Sequence, residues 1–581
     1  MEMVNIKING MPLSVPSGST ILEAAKHAGI VIPTLCYMKE INEIGACRIC
    51  MVEVKGARTL VSACVFPVNE GMEIFTNSER VRKSRKTTLE LILSTHNRDC
   101  LACVRSGNCE LQALCLEYGV SNTARFDGAQ PDYAFDASMS HMVRDNSKCV
   151  LCRRCVAACN NQAVSVIGAN ARGFDTHIGS AYELDINNFA CIACGQCVVN
   201  CPTGALYEKD DTDKVLAAIN DPEKFVVVQT APAVRAALGE EFGYDIGTDV
   251  EGKMAAALRR LGFDKVFDTN FSADLTIMEE SHELVERVKN GGVLPMITSC
   301  SPGWIKYCEH YYPDQLDHLS TCKSPQQMFG ATIKTWYAQN MGIDPANIVS
   351  VSVMPCTAKK FEVGRDDQSA SGYADVDISI TTRELARMIK GAGISFKALP
   401  DEQFDNPLGE GTGAAVIFGA TGGVMEAALR TAVKALTGEE AADPEFTEVR
   451  GMQGVKEATY SVGGLDIKVC VASGTKNAKA VMEKVKSGEC DYTFIEIMGC
   501  PGGCINGGGQ PQQPASVHQS VDIKALRASV LYKNDAAKAV RVSHENSAVK
   551  RVYDEFFGEP GSHKAHEVLH TSYVKRSLYN D

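Results

Sequence analysis

Residues 149–159 read CVLCRRCVAAC and residues 191–201 read CIACGQCVVNC, the second run followed by Pro202. Both are C-x2-C-x2-C-x3-C. Iron–sulfur cubes need converging thiolates. This spacing wraps three of them round one cube, while the fourth serves the other cube of the pair. Cys149, Cys152, Cys155 and Cys201 are therefore expected on one [4Fe–4S] cluster, and Cys191, Cys194, Cys197 and Cys159 on a second. Asn160 stands where Pro202 follows the second run, a departure that removes no ligand. This internal repeat defines a two-cluster unit over 139–209, and the rest of the chain is organised around it.

The chain has 581 residues and 24 cysteines, sixteen of them between Cys36 and Cys201. Disulfide scaffolds are short, so this many cysteines in a long chain point to metal ligation. The start, MEMVNIKING, lacks a basic stretch followed by an apolar one. No apolar run reaches the roughly 18 residues of a membrane span, so a cytoplasmic protein without a span is expected. A net charge of −13 disfavours nucleic-acid binding, which needs a basic face.

Two constellations precede the repeat. Cys36, Cys47, Cys50 and Cys64 supply four thiolates, with ten residues between the first two. They lie in a segment, 1–78, whose short alternating runs VNIKI, MPLSV and TLVSACV and helical stretch ILEAAKHAG read as a small mixed sheet with a helix. His96, Cys100, Cys103 and Cys109 follow a helical stretch, VRKSRKTTLELILSTH, within 79–138. Three thiolates and an imidazole suit either zinc or a [4Fe–4S] cube, and spacing alone leaves both open.

From about 210 the pattern becomes α/β. FVVVQTAP, GGVLPMITS, IVSVSVMP, AAVIFG and YTFIEIM read as β-rich runs alternating with helices such as KMAAALRRLG and GGVMEAALRTAVKAL. Three cysteine strings sit at or just beyond such runs: TSCSPGW with Cys300 and Ser301, MPCTAKKFE with Cys356 and Lys359, and EIMGCPGGCINGGGQP with Cys500 and Cys504. The ends of strands are where α/β folds build sites. Glu280 and Glu283 lie three apart in the helical stretch LTIMEESHELVERV, hence on one face. Cys115, Cys308, Cys322, Cys470 and Cys490 are expected to be small buried residues without metal.

These strings, in this order, resemble the three signature motifs of the [FeFe]-hydrogenases, and the resemblance runs through the C-terminal RASVLY and HKAHEVLH segments. The first two constellations resemble two modules found at the start of complex I's largest peripheral subunit and of large hydrogenases. One binds a [2Fe–2S] cluster, and the other binds a cluster through one histidine and three cysteines. The resemblance implies a multidomain α/β chain. It would comprise a β-grasp [2Fe–2S] ferredoxin-like domain over 1–78, a [4Fe–4S] domain with the histidine and three cysteines over 79–138 and the two-[4Fe–4S] ferredoxin domain over 139–209. A large H-cluster domain with a small-subunit-like C-terminal segment would fill 210–581. The H-cluster so implied is a [4Fe–4S] cube joined through a thiolate to a diiron unit with carbon monoxide, cyanide and azadithiolate ligands.

By the same resemblance Cys504 is the bridging thiolate, and Cys356 and Cys500 ligate the cube. Lys359 donates to a cyanide, while Met354, Met498, Ala231, Pro232 and Ala233 surround the diiron unit. The family carries two adjacent cysteines where this chain has Cys300-Ser301. The first is a proton donor and the second a cube ligand, so Ser301 falls on the ligand position, and the sequence leaves open whether Ser301 or Cys300 binds iron. Proton delivery would run Cys300, Glu280, Ser320, Glu283, with Arg287 near the exit. The implied activity is interconversion of H2 with protons and electrons. The implied partners are ferredoxin and flavin- and NAD(P)-binding subunits, as in multisubunit electron-bifurcating hydrogenases. An electron-transfer subunit of a complex I or formate dehydrogenase type is the alternative, one that the first two hundred residues would suit equally.

Overall fold

The computed structural model describes residues 2–120, 124–126, 128–131, 135–441 and 443–579. Part of the expected 79–138 unit, between 121 and 134, and the last two residues of the chain lie outside the described residues.

The N-terminal segment opens with a hairpin of β1 (Met3–Ile8) and β2 (Met11–Pro16). Its turn is Asn9-Gly10, both at positive φ (50° and 85°), the backbone that matches the right-handed twist of two strands joined by two residues. Helix α1 (Ile21–His27) starts at a reciprocal cap between Thr20 and Glu23 and buries Ile21, Leu22, Ala24 and Ala25. Strands β3 (Met51–Val54), β4 (Val61–Ser62) and β5 (Glu73–Phe75) complete a mixed sheet of order β2-β1-β5-β3-β4. TLVSACV contributes only the two residues of β4. Helix α2 (Glu79–Ser94) and helix α3 (Glu110–Glu117) flank the second constellation.

The repeat places α4 (Arg154–Asn161) and α5 (Gln196–Val199) after equivalent loops. Those loops share a backbone device. Leu151 and Arg153 are left-handed in the first (φ 53° and 62°), and Ala193 and Gly195 in the second (φ 57° and 67°).

The body holds two four-stranded sheets. One, of order β7-β6-β9-β10, is wholly parallel: β6 (Phe225–Thr230), β7 (Lys265–Asp268), β9 (Ile348–Met354) and β10 (Ile378–Thr381). The other, of order β8-β13-β12-β11, comprises β8 (Met296–Ile297), β11 (Val455–Val462), β12 (Leu465–Ser473) and β13 (Phe494–Met498). Strands β8 and β12 run parallel to β13 on either side. Helices α6 (Asn270–Asn290), α7 (Pro302–Tyr311) and α8 (Ala358–Val363) carry or flank the site residues.

Two β-rich expectations need correction. AAVIFG is not a strand: Gly413–Val416 is a turn of α-helix and Ile417–Gly419 a turn of 3-10 helix, every residue buried. An apolar run buried on all sides has no period to separate helix from strand. GGVLPMITS supplies only Met296–Ile297. The turn-rich 507–512 stretch is buried, its Gln512 side chain donating to Val198 O at 2.6 Å.

Candidate functional site

The loops following β6, β8, β9 and β13 leave the carboxyl ends of strands from both sheets and meet over one cavity. Thus Ala231 and Pro232, Cys300 and Ser301, Cys356 and Lys359, and Cys500 and Cys504 share a wall although they are scattered along the chain. Met354, Met498 and Phe418 close it with apolar surface. Ala233, expected beside them, does not line the cavity. It lies a residue further into the helical turn Pro232–Arg235, packs with Leu531, and offers its carbonyl to Gln510 at 2.9 Å.

The three thiols Cys356, Cys500 and Cys504 are mutual neighbours. Burial, then Cys356, pushes Cys504 up to about 12, and burial, then Cys356, Cys194 and Cys504, pushes Cys500 up as well. Buried thiols crowded together ionise only with a cation among them. The donor set therefore fits a metal cluster, and the apolar remainder fits a group with diatomic ligands. Lys359 Nζ already donates to Ser324 Oγ at 2.7 Å, Glu362 Oε2 at 2.9 Å and, at the long distance of 3.3 Å, Cys300 O.

Cys300 and Ser301 face different neighbours. Ser301 Oγ accepts from Gly499 N at 3.0 Å, beside Cys500. Cys300 is raised by burial and then by Glu280 and Cys504. Glu280 is 1% exposed and neither of its carboxylate oxygens meets a hydrogen-bond partner. Burial, then Glu283, pushes it up to about 8, with Ser320 as a polar neighbour. Ser320 Oγ donates to Glu283 Oε2 at 2.9 Å, and Arg287 donates to Glu283 Oε1 at 2.6 Å. Arg287 also donates to the carbonyls of Leu319 and Asp317. The pair on α6 is not the solvated acidic face that spacing alone would suggest.

In the arm, Cys36, Cys47, Cys50 and Cys64 converge, with Cys50 Sγ 3.3 Å from Cys64 Sγ and Cys47 N 3.4 Å from Cys36 Sγ. Cys149, Cys152, Cys155 and Cys201 line one cavity of about 370 Å3. Cys159, Cys191, Cys194 and Cys197 form the second group. Cys103 is a neighbour of Cys109. His96 is pushed down to about 4 by burial, and its buried Nδ1 has no partner, as a ring nitrogen awaiting a metal would. Of the five cysteines expected without metal, Cys115, Cys308, Cys322 and Cys470 are buried and Cys490 is half-buried.

Polar ties that the sequence did not announce join these centres. Asn42 Nδ2 donates to Cys36 O (2.9 Å) and Cys152 O (3.0 Å). Buried Arg154 donates to Cys36 O, Tyr37 O and Glu110. Arg105 donates to Cys201 O at 3.2 Å. The second group touches the body: Thr357 Oγ1 donates to Ala193 O (2.7 Å) and Gln162 Nε2 to Gly499 O (2.7 Å). Gly195 is required here, since a Cβ would strike Thr357 and Gly508.

Family models match along the chain. They are a 2Fe-2S iron-sulfur cluster binding domain at 1–79, the NADH-ubiquinone oxidoreductase-G iron-sulfur binding region at 85–124 and a 4Fe-4S dicluster domain at 148–212. The iron only hydrogenase large subunit, C-terminal domain, matches 224–508, and the iron hydrogenase small subunit 521–576. The chain is 50% identical to the NADP-reducing hydrogenase subunit HndD of Solidesulfovibrio fructosivorans, covering 99% of this chain and all of that one. It is 45% identical to iron hydrogenase 1 of Clostridium pasteurianum, with the same coverage. An apo [FeFe]-hydrogenase variant from Chlamydomonas reinhardtii superposes with a TM-score of 0.57 at 42% identity, over 64% of this chain and all of that one.

Proposed function

From the premise that this chain belongs to the iron-only hydrogenase large-subunit family, we propose a working assignment for its individual residues. The chain is a hydrogenase carrying iron–sulfur domains, and it interconverts H2 with protons and electrons. In our reading it is divided at 1–78, 79–138, 139–209 and 210–581. It holds one [2Fe–2S] cluster, three accessory [4Fe–4S] clusters and an H-cluster in the cavity lined by Cys356, Cys500 and Cys504. The single observation that carries the H-cluster assignment is the convergence of Cys356, Cys500 and Cys504 on one cavity from two strand ends, one in each sheet.

When bound, that cofactor supplies the redox-active iron at which H2 is made or split. The chain does the rest. Cys356, Cys500, Cys504 and Ser301 would hold the cluster. Lys359 would exchange its weakest bond, to Cys300 O, for an anionic ligand, while Glu362 and Ser324 keep its ammonium in place. Met354, Met498 and Phe418 exclude water. Cys300, Glu280, Ser320 and Glu283 would pass protons between the cavity and solvent, with Arg287 near the exit, and the high pKa of Glu280 keeps its proton available near neutrality.

Electrons would leave through the cysteine group 159/191/194/197, next to Cys500, to the group 149/152/155/201. There the path forks. Asn42 and Arg154 join the Cys36 loop, and Arg105 joins the loop of Cys100, Cys103 and Cys109. Two exits suit two kinds of acceptor, ferredoxin and a flavin- and NAD(P)-binding subunit in the cytoplasm. The Solidesulfovibrio relative is a subunit of an NADP-reducing hydrogenase, which supports the second. The test is maturation of the full chain followed by iron analysis and infrared spectroscopy. About twenty iron atoms per chain are expected from these cluster types, with carbon monoxide and cyanide bands. A matured protein without those bands would refute the H-cluster assignment.

A further inference from the structure

The last segment of the chain folds back on the body and brings a histidine to the proton-carrying side of α6. His570 pairs with Cys322 in an isolated antiparallel bridge, and Lys323 N and Thr571 N anchor the crossing through Leu569 O and Thr321 O, each at 2.8 Å. As a result one ligand atom each from Glu283, Cys322 and His570 lies within 4.8 Å of the others. We propose that these three residues form a binding site for a single divalent cation of the zinc class, separate from every cluster centre, whose occupancy arrests proton transfer through Glu283. The second half rests on the relay reading given above; the first does not.

The donor chemistry is one thiolate, one imidazole and one carboxylate, a set that zinc accepts in tetrahedral geometry with a fourth position left for water. Adjacent ligands of such an ion stand about 3.3–3.8 Å apart, as follows from metal–ligand lengths of roughly 2.0–2.3 Å. Glu283 Oε2 and Cys322 Sγ are already at 3.8 Å, so closure by about 1 Å completes the site.

The histidine is also oriented for this role. Metal-binding imidazoles characteristically donate their other N–H to a carboxylate, which fixes tautomer and ring direction. His570 Nε2 lies 3.1 Å from Glu279 Oε2. That carboxylate is itself held by Gly561 N at 2.9 Å and by the Tyr553 hydroxyl. Nδ1 is left as the ligand atom. It meets Thr321 Oγ1 at 2.7 Å, and Thr321 N donates to Glu283 Oε2 at 3.0 Å, so Nδ1 and the Glu283 carboxylate flank the same residue.

Electrostatics favour a cation. The Glu279 and Glu283 carboxylates stand beside Cys322, with Arg287 paired to Glu283 and His570 to Glu279. Entry is from the edge: the side chains of Glu283 and His570 are 14% and 7% exposed, and exposed His566, one helical turn earlier, stacks on His570 with ring centroids 4.0 Å apart. Binding would release the Cys322 thiol proton to solvent and convert Glu283 from a proton carrier into a ligand.

The test uses the matured full chain. Wild type and the Cys322→Ala/His570→Gln double variant are incubated with zinc chloride, freed of excess metal, and analysed for zinc, iron and zinc-edge X-ray absorption. Equal iron and equal infrared bands in both show that the variant folds and that zinc has not entered the clusters. The expected result is one more zinc per wild-type chain, with a single sulfur at about 2.3 Å and nitrogen or oxygen otherwise. Wild-type H2 turnover should fall at least tenfold and recover with EDTA, while the double variant's turnover is unmoved by zinc. Equal zinc in the two proteins, or zinc without a sulfur neighbour, overturns the site. Sulfur-bound zinc in wild type with full turnover upholds the site and overturns the relay through Glu283.

Discussion

The cysteine-dense arm and the body reach the same end, thiolates converging on one point, by opposite routes. In the arm each ligand set comes mostly from one short stretch, and left-handed residues such as Leu151, Arg153, Ala193 and Gly195 curl the chain round a centre. In the body Cys356 and Cys500 come from different sheets, and only the parallel register of β9 and of β8 with β13 points their loops at one cavity. The arm is built for conduction, its loop carbonyls linked from one cysteine group to the next by polar side chains. The body brings its thiols together over an apolar cavity, and beside it the Glu280 carboxyl is buried next to Ser320, Ser299 and Glu283. A centre that only passes electrons tolerates nearby water; one that moves protons to a reactive site must choose which proton arrives.

The largest expected effect lies on the body side. Glu280→Gln keeps shape and removes the titratable group, so H2 turnover should fall by about a hundredfold or more, the scale of a lost general acid–base group. Infrared bands and iron content should be unchanged. The same substitution has a stability signature. The carboxyl is raised to about 8 in the folded chain, above its ordinary 4.5, so the folded state binds the extra proton. Its contribution is fully present below about 4.5 and is lost as pH rises through about 8. Wild type should therefore lose stability relative to Glu280→Gln between pH 5 and pH 9, by on the order of a few kcal/mol, read as a narrowing and then reversal of their difference in melting temperature. A pH-independent difference would mean that Glu280 is not buried as a neutral acid.

The arm should answer differently. Arg154 is buried, pairs with Glu110 at 2.6 Å, and holds the carbonyls of Cys36 and Tyr37. Arg154→Met strands Glu110 and cuts the tie to the Cys36 loop, a loss of about 3–5 kcal/mol for a broken buried pair. Reduction of the proposed flavin- or NAD(P)-linked partner should drop about tenfold, while H2 evolution from a small strong reductant stays within about twofold. Equal loss of both activities would show that arm and body are one mechanical unit and remove the contrast between them.

How much of this was legible in the sequence follows the same division. Where ligands share a stretch, offset encodes geometry, and the paired C-x2-C-x2-C-x3-C runs could be read to the residue. The hairpin turn at Asn9-Gly10 and the cap at Thr20 are equally local, yet 1–78 reads no further than a small mixed sheet with a helix. AAVIFG was misread because a run buried on every side carries no period. Arg154 and Asn42 were missed because a single polar residue inside a cysteine motif looks solvated until its partners, more than a hundred positions away for Cys36 and Cys152, are known. Cys322 is the small buried residue it reads as, and what no string contains is that Glu283 and His570, from distant segments, lie beside it. In the body the strings were specific, but their meeting depends on sheet order, which no string contains.

The smallest expected effect is the one that bears most closely on the contrast between a ligand and a proton carrier. Cys300 and Ser301 are adjacent, yet the backbone turns between them. Ser301 immediately precedes α7 and presents Oγ to Gly499 N at 3.0 Å, on the loop of Cys500, whereas Cys300 lies beside Glu280. Ligation removes the proton of a thiol, so one cysteine cannot hold iron and hand on protons at once. The placement favours Cys300 as donor and Ser301 as the residue on the cube side. Ser301→Cys should then keep turnover within about twofold and full iron, because a thiolate replaces a weaker oxygen ligand without touching the relay, and should alter the electron paramagnetic resonance of the H-cluster cube while leaving the accessory clusters' signals alone. Cys300→Ala, by contrast, should keep the infrared bands. If Cys300→Ala loses the bands and Ser301→Cys restores them in the double variant, Cys300 is the ligand and the relay must begin elsewhere.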